Sequence, residues 1–219
     1  MRAFFFLLFL LSAFSCKDIE RFRPDKEHPS LPKISSKGYN TAGAFFNDRT
    51  WRSHFYHNVP EPGAGSPYYI DAMQFFIHKD SVWMAISGEI TENESYMLLF
   101  YMNEFDSSFT VRDIPKIKGK RSNLIDAKSL LIAGENNSLR DSIAFADSGK
   151  ISIHEASFGD ESGVVSGTFE AIFFNDSVEY KVELGRFDFK VRGEHITNID
   201  EILERSDWRN YYELTRTSR

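Results

Sequence analysis

The chain has 219 residues, with 26 basic and 32 acidic side chains, a formal net charge of −6, 21 phenylalanines and a single cysteine. That length supports one domain with a sizeable core, and one cysteine excludes an internal disulfide. The acidic balance argues against nucleic acid and anionic membrane as partners, because both are bound through clustered Lys and Arg.

At the start, Arg2 precedes an unbroken apolar run over residues 3–11, and Ser12, Ala13, Phe14 and Ser15 then lead into Cys16. A positive start, a short apolar stretch and small residues before a cut are the layout of a secretory leader. The run is shorter than the roughly 20 residues that span a bilayer core. A cysteine directly after it resembles the lipobox of bacterial lipoproteins, with Ala13 at the usual aliphatic position and Ser15 at the small one. The resemblance implies loss of residues 1–15, a diacylglyceryl group on the Cys16 thiol, and acylation (palmitate or a similar chain) of the new amino terminus. The alternative is a plain secretory leader cut near Ser15. Two or more acyl chains give stable attachment where one does not, so the partner implied is outer-membrane lipid. Lys17, Asp18 and Glu20, interrupted by Ile19, resemble the surface-export signal of Bacteroidota lipoproteins. The address implied is the outer membrane, with the cell surface as the outward option. Without its leader the chain has 204 residues, with 25 basic against 32 acidic side chains, because Arg2 is the only charge removed.

Residues 16–37 read as the lipidated cysteine and a tether. Over 17–37 ten of 21 residues are charged and three are proline, a composition that does not bury enough to order itself. The globular part, 38–192, opens with two short β-like runs around Asn47-Asp48-Arg49, the polar centre of a hairpin. A Pro/Gly loop over 60–67 follows. Residues 68–78 read as one strand. Lys79-Asp80 turns into Val82, Met84, Ile86 and Ile90, which alternate with Trp83, Ser87 and Glu89. After a turn at 91–94, residues 96–102 are apolar on both faces, as in a strand covered on both sides. Residues 105–141 are poorly patterned; Ile117 and residues 124–133 read as strands on either side of a solvated basic loop, Lys118-Gly119-Lys120-Arg121.

Near the end, Ile151 and Ile153 alternate with polar neighbours, and the turn at 159–163 leads into a strand over 164–174. Asn175-Asp176 then turns into Val178, Tyr180, Val182 and Leu184, all on even numbers and so on one face. Phe187, Phe189 and Val191 are on odd numbers. A strand that changes parity absorbs one extra residue, which predicts a β-bulge at Gly185. Asn198, with Glu201 three later and Ile199, Ile202 and Leu203 on one face, reads as the capped start of a helix in a tail over 193–219.

Tyr39-Asn40-Thr41-Ala42-Gly43-Ala44, Ser166-Gly167-Thr168-Phe169 and Gly185-Arg186-Phe187-Asp188, in that order behind such a leader, are similar to signatures of a family of small Bacteroidota lipoproteins. The single domain of that family has no known function. The likeness covers residues 38–191; it implies a β-rich domain and brings no catalytic residues.

His54 and His57 form His-x-x-His, but on a strand that spacing puts them on opposite faces, and no third ligand cluster accompanies them. No metal and no cofactor is expected. His78 and His154 read as solvated. Arg186 and Asp188, two apart and near Glu183, read as a surface charge ladder rather than an acid–base pair. No nucleophile elbow, zinc-protease or phosphate-loop motif occurs, so no catalytic residue is assigned. Trp83, on the outward face of its strand, and Tyr68 and Tyr69 are the candidate ligand-binding residues. The expected fold is an all-β antiparallel sandwich of eight to ten strands with a short carboxy-terminal helix. The alternative is a closed, calycin-like barrel with an internal cavity. The expected function is that of a non-catalytic binding or accessory module of the envelope contacting glycan or protein. The alternatives are a carboxylate-dependent hydrolase and a purely structural envelope protein.

Overall fold

Alternating apolar residues and polar turns give thirteen strands in the computed structural model. It describes residues 22–53, 58–59, 68–69, 72–78, 81–91, 93–102, 105, 108–124, 129–135, 138–175 and 178–198. In chain order the strands are β1 (Thr41–Phe46), β2 (Arg49–Ser53), β3 (Asn58–Val59), β4 (Tyr68–Tyr69), β5 (Met73–His78), β6 (Ser81–Thr91), β7 (Glu94–Met102), β8 (Arg121–Asn123), β9 (Leu130–Glu135), β10 (Ser138–Phe158), β11 (Gly163–Asn175), β12 (Val178–Val191) and β13 (Ile196–Asn198).

Eight of them close on themselves in the order β6–β2–β1–β12–β11–β10–β9–β7 and back to β6. The fold is therefore all-β, as expected, but the sandwich gives way to a closed antiparallel barrel. Closure depends on β6. One edge of this 11-residue strand pairs with β7, and the other takes β5 along its first half and β2 at Glu89 and Gly88. β13 adds to the free edge of β5 in parallel, and β8 lies beside β10 at residues 150–152.

The hairpin at Asn47-Asp48 forms with φ of 45° and 65°, the left-handed pair that a two-residue turn matching strand twist requires. β7 is apolar on both faces as expected. Tyr96, Leu98, Phe100 and Met102 point into the barrel core, while Met97 and Leu99 join an outer apolar cluster with Phe76, Ala85, Leu130 and Ile132. Residues 68–78 are not one strand; β4 and β5 are separate. Ile117 is not in a strand either. It ends a 3-10 helix, Val111–Ile117, whose fully buried Ile114 and Ile117 join the main core. Asn198 closes β13 instead of capping a helix. The rest of that expected helix, the Pro/Gly loop at 60–67 and the leader lie outside the described residues.

Among the described residues, aromatic side chains pack against one another across the interior, as the small radius of an eight-stranded barrel allows. Ring centroids lie 5.5 Å apart for Phe46 and Trp51, 6.4 Å for Trp51 and Phe169, 5.2 Å for Phe100 and Phe169, and 6.3 Å for Phe169 and Phe187.

The predicted bulge in β12 is present. Opposite Phe169 and Ala171 of β11 stand Gly185 and Val182, one residue too many, and β1 shows the same slip. Its distorted residue is Leu184, at φ 52°, rather than Gly185. Leu184 is consequently thrown outward and does not share the buried face of Val182. Gly185 is required for a different reason: a Cβ there would collide with the Phe169 ring.

Candidate functional site

Residues 22–37 do not form a free strap. They fold into a tight loop held by backbone hydrogen bonds, in which Asp25 N donates to Leu31 O (2.9 Å), Leu31 N to His28 O (2.9 Å) and Lys33 N to Arg23 O (2.6 Å). The Asp25 carboxylate accepts the N–H of Glu27 at 2.9 Å and of His28 at 3.1 Å. Leu31 is fully buried beneath the loop. This arm lies on the outside of β1, β12 and β2. Gly43 leaves the space that Pro32 occupies, since a Cβ there would come within 2.5 Å of Pro32 Cδ. Arg52 Nε donates to Ser30 O at 2.8 Å, and its guanidinium lies 4.4 Å from the Phe22 ring centroid.

Two charged residues of β12 clasp the arm. Arg186 Nη1 meets Asp25 Oδ2 at 2.9 Å and the Pro32 carbonyl at 3.2 Å. Asp188 accepts the backbone N–H of Lys37 at 3.1 Å and of Gly38 at 2.7 Å. Both side chains are buried. The reading of Arg186 and Asp188 as a surface ladder is thus corrected: they point outward from the barrel, as alternation requires, and the arm covers them. Ser36 and Ser166 hydroxyls meet at 2.8 Å, and Asn40, at φ 57°, accepts Lys190 N at 2.8 Å. The N–H groups of His28 and Glu27, followed by the Arg186 guanidinium, hold the Asp25 carboxyl below its usual value.

The three sequence signatures meet here. Asp188 lies between Thr41 of β1 and Ser166 of β11, and Arg186 lies between Gly43 and Thr168. On the inner side, a Cβ at Gly167 would come within 2.7 Å of the Phe187 ring. The signatures thus mark the wall that carries the arm outside and the Phe169–Phe187 packing inside. Sequence reasoning missed the arm, although the run of small and turn residues from Gly38 to Gly43 is the signal that could have found it.

The other candidates are scattered. Trp83 does face outward on β6, but it is partly buried against the outer apolar cluster and has its ring 5.6 Å from Tyr101 at a tilt of 54°. Tyr68 and Tyr69 form β4, pairing with Val59 and Asn58; their side chains are outside the described residues. Cys16, His54 and His57 also lie outside them. His154 is exposed, 3.2 Å from Thr168 Oγ1. Among the described residues no three His, Cys, Asp or Glu side chains come together.

At one end of the barrel, Arg49 grips Glu94 with two hydrogen bonds of 2.9 and 2.6 Å, and Tyr96 donates its hydroxyl to Glu94 at 2.7 Å. Burial, then the hydrogen bond to Glu94, pushes the Tyr96 phenol well above its usual value of about 10. Its ionisation is therefore expected only as the fold opens. Because the unfolded chain ionises first, this contribution to stability is complete below about pH 10 and is lost above it. In an alkaline absorbance titration, wild type should show a late tyrosinate step coincident with unfolding, and Tyr96→Phe should lack it.

Comparison with protein-family models, with curated proteins and with solved structures finds no match to this chain.

Proposed function

We propose that the chain is an outer-membrane lipoprotein, anchored by an acylated Cys16, whose barrel is a non-catalytic binding or accessory module. On this reading it belongs with the small Bacteroidota lipoproteins that its signatures resemble. The observation that carries the proposal is a lipobox-like leader that runs, after residues 17–21, into an arm clasped to the barrel wall by Arg186 and Asp188.

Hydrolysis by paired carboxylates finds no support around the clasp. Asp188 is buried against backbone N–H groups, and Glu183 pairs with Lys181 at 2.8 Å on the surface. The aromatic packing among the described core residues favours contacts on the outside, where Trp83 is the described aromatic candidate and Tyr68 and Tyr69 are the others. The tilt between Trp83 and Tyr101 suits an irregular protein surface better than a flat sugar ring, which takes coplanar rings.

Membrane fractionation and intact-mass analysis test the anchor. Wild type should partition with membranes and carry acyl groups on a chain beginning at residue 16, and Cys16→Ser should leave the membrane fraction. A mature mass without acyl groups rejects the anchor. Trp83→Ala should abolish cross-linking of the barrel to envelope protein while leaving fractionation unchanged; undiminished cross-linking rejects Trp83 as the contact.

A further inference from the structure

The bulge in β12 leaves a half-open cleft of about 140 Å³ between the arm and the barrel wall. Ile34 of the arm and Leu184 of the bulge form its lips, Arg186 and Thr168 line it, and Lys150 and Glu170 stand at its rim. Three separate observations converge on it. Leu184 is held in the left-handed region, a conformation unfavourable for a side chain with a Cβ and one that clusters at ligand sites. Four large hydrophobic side chains are exposed among the described residues, and two of them, Ile34 at 50% and Leu184 at 45%, line this opening. Arg186, only 6% exposed, engages Nε with the Leu184 carbonyl and Nη1 with Pro32 and Asp25, so its Nη2 donors have no partner among the described residues. At the rim, Lys150 meets Glu170 at 2.9 Å with both side chains more than half exposed; such a pair is weak and readily exchanged.

We propose that this cleft binds a short aliphatic carboxylate, its acid group on Arg186 Nη2 and Lys150 and its hydrocarbon between Ile34 and Leu184. Guanidinium donors suit a carboxylate, and aliphatic lips suit a branched chain. A cavity of this size takes a benzene-sized body, which corresponds to an acid of roughly six to eight non-hydrogen atoms. The same chemistry is offered by a free branched-chain acid and by the terminal valine of a peptide. The inference goes beyond the anchored-module reading and holds whether or not Cys16 is acylated.

The test is titration of the purified chain with isovalerate and with acetyl-Ala-Val, using isovaleramide as the neutral control and reading backbone amide NMR shifts. Saturable shifts are expected at residues 34, 168–170 and 184–186, with a Kd of about 1 mM or tighter. Binding of the amide should be about tenfold weaker or more. Leu184→Asn keeps the left-handed backbone, which asparagine tolerates, and removes one lip. It should unfold at or above the wild-type midpoint, yet bind the acids about tenfold more weakly. Saturation by isovalerate alone assigns the site to a free acid, and saturation by acetyl-Ala-Val assigns it to a chain end. No saturable shift with either acid, shifts elsewhere on the barrel, equal binding of acid and amide, or a Leu184→Asn chain that binds as wild type overturns the proposal.

Discussion

Phe169→Ala is expected to destabilise the chain by about 3–5 kcal/mol in urea unfolding, the range for deleting a buried phenyl ring. The upper part of that range is the better expectation, because Phe169 is where the aromatic contacts of the barrel meet. Its ring packs against Trp51, Phe100 and Phe187. The wall around it is a continuous ladder of hydrogen bonds that has little freedom to collapse into the space left behind. A companion variant isolates one neighbour. Gly185→Ala alone should cost about 1–3 kcal/mol by overpacking, since its Cβ would run into the Phe169 ring and lie 2.6 Å from the Phe169 carbonyl oxygen. In the Phe169→Ala background the ring part of that cost disappears and the carbonyl part stays. The two changes should therefore be less than additive by about 1 kcal/mol or more. Strict additivity would mean that the Phe169 ring is not what Gly185 makes room for.

Asp188→Ala should release the arm. The substitution leaves the N–H groups of Lys37 and Gly38 without their acceptor in a part-buried position. A buried group left unpaired costs about 1–3 kcal/mol; water can reach these two in part, so a loss of about 1–3 kcal/mol for the pair is expected. Asp188→Asn keeps one acceptor oxygen and should lose about half as much. The structural readout is limited trypsin digestion. Lys33 and Lys37 are exposed side chains whose own backbone N–H groups are pinned, to the Arg23 carbonyl and to Asp188. Cleavage there should accelerate in Asp188→Ala while the barrel stays intact. If these sites are cut at the wild-type rate, the clasp is not what holds the arm.

What the sequence disclosed was local. The turn at Asn47-Asp48, the two-sided apolar pattern of residues 96–102 and the parity change across Gly185 are short-range signals, and each corresponds to a feature of the structure. Closure was not legible, because the pairings that complete the circle, β2 with β6 and β7 with β9, join segments about 35 residues apart that bear no mark of each other. Ile117 looked like a strand residue because a single apolar position in a Pro- and Lys-rich stretch has no distinctive period; burial against the barrel core decided its conformation. The arm was misread for a related reason. Its charges and prolines predict a segment without a core of its own, which is true, but the barrel supplies the buried surroundings and Arg186 and Asp188 the ties. Those two residues looked solvent-facing because alternation reports only which side of the wall a residue is on, and not what lies beyond it.

The circle of strands has one short joint. Among the described residues β2 and β6 face each other at Arg52–Glu89 and Ser53–Gly88 alone, where other neighbours share runs of up to a dozen pairs. Breathing of the cylinder should begin there, with these amides losing protection from solvent deuterium ahead of those in β11. Arg52, half of that joint, is also the residue on which Phe22 rests and to which Ser30 offers its carbonyl. Any tension drawn through the amino-terminal end therefore arrives at the place where the cylinder is easiest to part.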